Sequence, residues 1–338
     1  MDSVSQFVLG AALAGAVLGQ RTKAWRSLLW GGVVATLPDL DVLFDHGDAI
    51  ANMTFHRAES HALLYLTLAT PLLAWAIARL HGERQLLARW CAAVWLALVT
   101  HPLLDAMTIY GTQLLLPFTD HPFAVGSLFV VDPLYTLPLL LGNVVLLVTR
   151  GSVRGHRANW AGLVLSTAYA AWSVLAQGLA ERAGERALAN QGVAGARLVV
   201  TPAPLQTLLW RVLAVTDTDA YEGFWSVCDG DVPVVFTKIP RGSEWFPRLR
   251  GQWAFDRLQW FSGDCTKVER DGEALRLVDL RMGQEPHYIF RFVVAKLGAD
   301  GAVVPVERTE RAGSRIDVGR GLRWLWARTF DPSVPPPR

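Results

Sequence analysis

Charge and cysteine are both scarce in this chain. Of its 338 residues only 18% are Asp, Glu, Lys or Arg, against roughly a quarter in soluble domains. Hydrophobic residues make up 51% and the mean hydropathy is positive. With a formal net charge of +2, no field of one sign draws the protein to nucleic acid or to an acidic partner, so function must come from local clusters. The three cysteines, Cys91, Cys228 and Cys265, match no zinc spacing. Cys91 lies in an apolar run where packing is the plain role, and Cys228 and Cys265 remain as a pair that an oxidising compartment would permit. A cleavable signal peptide is lacking too: Met1-Asp2-Ser3 is acidic and the basic residues follow the first apolar run, so that segment is expected to be retained.

What the chain does have is apolar length, concentrated in its first half. A membrane-spanning helix takes roughly 20 mainly apolar residues, and 62–80, 86–104, 128–148 and 158–179 qualify. Two shorter runs, 7–18 and 27–37, read as short tilted spans or a re-entrant pair. Gly15 and Gly19 form a GxxxG spacing that favours close helix contact. Arg21/Lys23/Arg26, Arg79/Arg84/Arg89 and Arg150/Arg154/Arg157 fall on alternate connections, which predicts that these three are cytoplasmic. The N-terminus, 38–61, 105–127 and everything after Leu179 then lie on the other side.

After Thr201 the pattern changes to short β-type runs, 233–239, 275–280 and 288–295, punctuated by Asp271-Gly272 and Asp300-Gly301. One helical stretch, 246–261, interrupts them, with Trp253 and Trp260 on a common face read as core. The expected architecture is an α-helical polytopic membrane bundle of four long and two short apolar segments over 1–180. A β-rich α+β extracytoplasmic domain over 181–330 and a disordered proline-rich tail over 331–338 follow it.

Three clusters carry chemistry, all on the predicted outer side. In Pro38-Asp39-Leu40-Asp41, proline favours extended backbone, which puts Asp39 and Asp41 on one side, able to bind one cation or bridge two. The plainer reading is a polar turn. In His56-Arg57-Ala58-Glu59-Ser60-His61, the histidines offer imidazole nitrogens, Arg57 a planar fork for phosphate or carboxylate, and Ser60 a supporting donor. The alternative there is a basic patch touching head groups. In His101-Pro102-Leu103-Leu104-Asp105, His101 and Asp105 share a helix face, and Pro102 can open space beside it. Ionisable groups at the centre of a membrane helix cost about 2.5–3.5 kcal/mol on insertion scales, which makes the pair a functional hypothesis by default. Thr108, Gly111 and Thr112 follow as hydroxyl or backbone contacts, and Asp132 is a weaker candidate for supporting or substrate contact. Asp45, His46 and His121 read as solvated loop residues.

At these clusters the sequence resembles the YdjM-like family of inner-membrane-associated metal-dependent hydrolases, also described as LexA-binding. The likeness is carried by Met1-Asp2-Ser3-Val4-Ser5-Gln6, Val8-Leu9-Gly10-Ala11-Ala12 and the three clusters above. It continues through Thr108, Gly111-Thr112-Gln113 and Val131-Asp132-Pro133-Leu134-Tyr135, so it covers about the first 180 residues. It implies a multi-pass inner-membrane hydrolase with Asp39, Asp41, His56, His61, His101 and Asp105 as metal ligands. Gln6 stands where relatives carry histidine, and Gly15 where a carboxylate is expected, so no ligand is carried over to the first segment. Such a donor set suits one or two zinc ions, with manganese or magnesium as alternatives. Arg57 would stabilise developing negative charge and Asp41 or Asp105 would act as general base. A site at head-group depth points to a lipid or lipid-linked ester or phosphoester as partner, and to no nucleic acid. A metal-binding or sensing membrane protein without turnover is the rival reading. A transporter ranks third, because no central span is lined with charge.

Overall fold

The computed structural model describes residues 1–313 and 317–337. These fall into two compact units. The first comprises 1–43, 57–174 and 204–206, and the second 44–56, 175–203 and 207–338.

The first unit is helical. Its elements are α1 (Ser3–Leu18), α2 (Ala24–Thr36), α4 (Leu63–Leu80), α5 (Leu87–Ala106), α6 (Pro133–Val148) and the N-terminal part of α7 (Val153–Asn190). Helices long and apolar enough to cross a membrane number four among the described residues: Ser3–Arg21, Leu63–Leu80, Arg84–Ala106 and Val153–Asn190. The count matches the expectation but the membership differs. The side chain of Asp2 accepts from Val4 and Ser5 amides, which starts α1 a turn before the apolar run begins and lengthens it. The run 128–148, expected as a long span, is helical only over Pro133–Val148. Pro133 keeps Asp132 extended at φ −123°, so 128–132 cannot join the helix.

Close approach in this bundle comes from glycines other than the expected pair. A Cβ on Gly31 would strike the Gly10 carbonyl and Ala14, whereas Gly19 has open space around it and Gly15 faces Leu146. The α1/α2 crossing therefore runs through Gly10 and Gly31. Leu68 and Leu72 of α4 and Leu141 and Val148 of α6 stay exposed, an apolar surface of the kind a bilayer covers.

The second unit contains α3 (Ala49–Phe55) and two four-stranded antiparallel sheets. One has the order β1 (Arg197–Pro202), β2 (Leu209–Val215), β3 (Asp219–Ser226), β4 (Thr237–Pro240). After α8 (Phe246–Leu249) and α9 (Trp253–Ser262), the other is built from β5 (Thr266–Asp271), β6 (Ala274–Asp279), β9 (Arg291–Leu297) and β10 (Val303–Arg311), in the order β10-β9-β6-β5. A small hairpin, β7 (Gly283–Gln284) with β8 (His287–Tyr288), precedes β9, and α10 (Val318–Phe330) follows β10. Leu213 and Ile239 of the first sheet, Val278 of the second, and Cys265, Leu280 and Tyr288 beside them share one core. Arg211 crosses it, donating to Glu222 at 2.7 Å and to the Leu280 carbonyl at 2.7 Å.

Two expectations are corrected here, the single helix and the buried Trp253. The stretch 246–261 is two helices, broken at Gly251, which has φ +82°. Trp253 is exposed, and the buried face of α9 is Phe255, Leu258 and Phe261. Cys228 and Cys265 are free thiols, one exposed and one buried. Of the tail, Val334 packs against the cluster that holds Trp324 and Leu325; Arg338 lies outside the described residues.

Candidate metal centre

Proline ends the second apolar helix, and 38–43 wind into a 3-10 turn that brings Asp39 and Asp41 inward and leaves Leu40, Val42 and Leu43 exposed. A second 3-10 turn over Glu59–His61 carries Ser60 and His61, and the C-terminal half of α5 carries His101 and Asp105. Asp39, His61, His101 and Asp105 gather one donor atom each within 4.8 Å of one another. His61, His101 and Asp105 have fully buried side chains, and Asp39 is 20% exposed.

The hydrogen bonds decide where the protons sit. His101 Nδ1 lies 2.6 Å from the Ala35 carbonyl, which can only accept, so Nδ1 carries the proton and neutral His101 has a bare Nε2. Ser60 Oγ donates to Asp41 Oδ2 at 2.6 Å and lies 2.8 Å from His61 Nδ1. With its own hydrogen committed, Ser60 accepts from His61 Nδ1, and His61 Nε2 is bare as well. The two Nε2 atoms face each other at 3.0 Å. Asp105 Oδ1 accepts from Gln6 Nε2 and Arg57 Nη2, both at 3.2 Å, and from the Met1 ammonium. Its Oδ2 has no hydrogen-bond donor and lies 3.2 Å from His61 Nε2 and 3.3 Å from His101 Nε2. Asp39 Oδ1 lies 3.4 Å from His101 Nε2 and 3.7 Å from His61 Nε2.

Four ligand-type atoms, two imidazole nitrogens and two carboxylate oxygens, thus converge. Such a buried group could hold a metal ion. Two imidazole nitrogens and two carboxylates are a donor set that zinc or a similar divalent ion would accept. The donors present fit a divalent metal.

Arg57 stands beside them in a strained backbone, at φ +66°, where a non-glycine residue is uncommon. Its amide donates to Asp41 Oδ2 at 3.0 Å and its carbonyl accepts from Gln113 at 2.9 Å. The guanidinium stacks over Tyr110 at 4.9 Å and reaches Thr108 Oγ1 at 3.3 Å, while its Nε is buried without a partner. Thr108 in turn donates to the Asp105 carbonyl at 2.7 Å.

Of the six expected ligands, Asp39, His61, His101 and Asp105 come together. Asp41 stands behind them, holding Ser60 and the Arg57 amide, 3.6 Å from His61 Nδ1. His56 caps α3 and belongs to the second compact unit, outside this group. Ser60 and Thr108 support the group as expected for their positions, but Asp132 does not reach it. One Asp132 oxygen accepts from the Leu134 and Tyr135 amides and the other from Tyr169 at 2.9 Å. Gln6, from which no ligand was carried over, donates to Asp105 and, at 3.1 Å, to the His101 carbonyl, with its Oε1 buried and unpartnered. An amide inside an apolar run was the one available signal for it.

Long apolar helices around a buried His/Asp group define a multi-pass membrane protein with a candidate metal centre. A family model described as YdjM inner membrane protein matches residues 1–180, and the chain belongs to that family. No curated protein and no solved structure matches it.

Proposed function

We propose that this chain is a membrane-bound metal-dependent hydrolase working at the outer face of the inner membrane on a lipid or lipid-linked ester or phosphoester. Zinc is its metal in this reading, with manganese or magnesium as substitutes. The observation that carries it is the meeting of four ligand-type atoms with a buried guanidinium that has an unpaired Nε. A divalent ion supplies a Lewis acid for an ester or phosphoryl oxygen and brings the ionisation of a water toward neutral pH.

The chain's own residues do the rest. Arg57 holds negative charge that develops on the substrate, in a site dry enough for that charge to matter. Asp105 has one oxygen anchored by Arg57 and Gln6 and the other bare, which makes it the candidate base or ligand. Asp41, committed to Ser60 and the Arg57 amide, is a positioning residue. Asp39 marks the open edge, being the one donor residue that is not fully buried. Support for a lipid substrate comes from the same turn: Leu40, Val42 and Leu43 are 52%, 71% and 77% exposed, an apolar rim beside a polar site. The outward orientation rests on the three Lys/Arg-bearing connections.

A metal-binding or sensing protein without turnover is favoured by one observation, that four donors by themselves fill a tetrahedral shell. Hydrolysis separates the two. Purified, metal-loaded protein is expected to release product from a panel of lipid esters and phosphoesters, and Arg57→Ala to lower turnover by ~10²-fold while keeping its metal. Stoichiometric metal with no product from any substrate leaves the sensing reading standing.

A further inference from the structure

The second unit carries an apolar surface that its own fold leaves uncovered. On α10, Val318, Leu322, Trp326 and Phe330 are 65%, 47%, 73% and 55% exposed. They recur every fourth residue and therefore form one stripe along the helix. Trp326 and Phe330 meet edge to face at 5.2 Å.

The helix cannot roll to hide this stripe, because its other face is fixed. Trp324 and Leu325 are buried, with Trp324 set edge-on to Phe224 at 4.9 Å. Arg328 makes a two-pronged pair with Asp229 at 2.8 and 2.9 Å and donates to the Phe224 carbonyl at 2.8 Å. Ser226 Oγ donates to the Thr329 carbonyl at 2.7 Å.

We propose that α10 is an interfacial anchor whose exposed stripe beds into the head-group and upper acyl region of an anionic bilayer, with Arg320 and Arg323 meeting lipid phosphates. Charge picks out this occupant. Val318–Phe330 contains no acidic residue, Arg328 is neutralised by Asp229, and Arg320 and Arg323 are exposed. Thirteen residues rise only about 20 Å, too short to span and suited to lying in the plane, and tryptophan and arginine are the residues such helices use. The membrane is already present, since α7 runs without a break from an apolar span into this unit. A second copy of the chain fits less well. A two-fold contact along the stripe would gather Arg320 and Arg323 of both copies with no acidic residue of either helix to pair them.

The test uses the full chain in nanodiscs of phosphatidylcholine with or without phosphatidylglycerol. Trp326→Cys or Leu322→Cys, each in a Cys228→Ser background, is labelled with an environment-sensitive fluorophore, and Cys228→Ser alone serves as the labelling control. Both labels are expected to show blue-shifted emission quenched by lipids brominated near the head group, more strongly with phosphatidylglycerol. Arg320→Glu with Arg323→Glu, checked for an unchanged melting temperature, is expected to remove the lipid-dependent gain. Emission at the aqueous position, unaffected by brominated lipid at both sites, overturns the proposal. So does shielding that appears only with two copies per disc, which assigns the stripe to a second chain.

Discussion

Two protons govern whether His61 and His101 can hold a cation, and neither is on the atoms that face the site. The Ala35 carbonyl fixes one and the relay Asp41, Ser60, His61 fixes the other. Removing the relay frees His61 to rotate or change tautomer, and losses behind a ligand typically weaken metal binding ~10–100-fold. Ser60→Ala and Asp41→Asn are each expected to fall in that range by competition with a chelator, with Asp41→Asn the larger because it also releases the Arg57 amide. Unchanged affinity in both would deny the relay a role. At this scale the sequence made the pairing of His101 with Asp105 legible, since four residues on a helix share a face. It misled about His56. The left-handed Arg57 turns the backbone between the two histidines, and no spacing rule carries that information.

Among elements, the α1/α2 crossing deserves the sharpest substitution. Gly31→Leu would drive a side chain into the Gly10 carbonyl and Ala14, and overpacking of that kind costs about 1–3 kcal/mol. Because α2 also presents the Ala35 carbonyl to His101, lower thermal stability in detergent is expected together with weaker metal binding. At the other end of this bundle Glu83 accepts from Thr22, Arg26 and Trp90 at 2.7, 2.6 and 3.0 Å. Burial raises its carboxyl, but these donors bring it below the ordinary range. Such a carboxylate contributes stability above its unfolded value of about 4.3 and loses the contribution as pH falls through the lower folded value. Glu83→Gln should therefore flatten part of the decline in melting temperature on acidification below about pH 5; an unaltered decline would contradict the assignment. In the second unit Asp229→Ala strands Arg328 in a buried position, a change that typically costs ~3–5 kcal/mol, and a smaller shift in unfolding would mean the pair is not what fixes α10. Hairpins at Asp271-Gly272 and Asp300-Gly301 could be read from their turn residues. The break at Gly251 could not, because the apolar pattern continues across it.

At the scale of the whole molecule an apolar helical region precedes a β-rich one, an order visible in hydropathy and β-type patterning, whereas the membership of 44–56 in the second unit was not. What hydropathy could not give was the start of α1, set by a polar cap, or the loss of 128–132 from α6, set by one proline. Everything proposed about chemistry depends on a cation at Asp39, His61, His101 and Asp105. The most direct measurement is elemental analysis of detergent-purified wild type beside His61→Ala, His101→Ala and His56→Ala, each checked for folding. Near-stoichiometric divalent metal is expected in wild type and His56→Ala, and its loss in the other two. Metal absent from folded wild type even after reloading, or equally retained in all three variants, would contradict it.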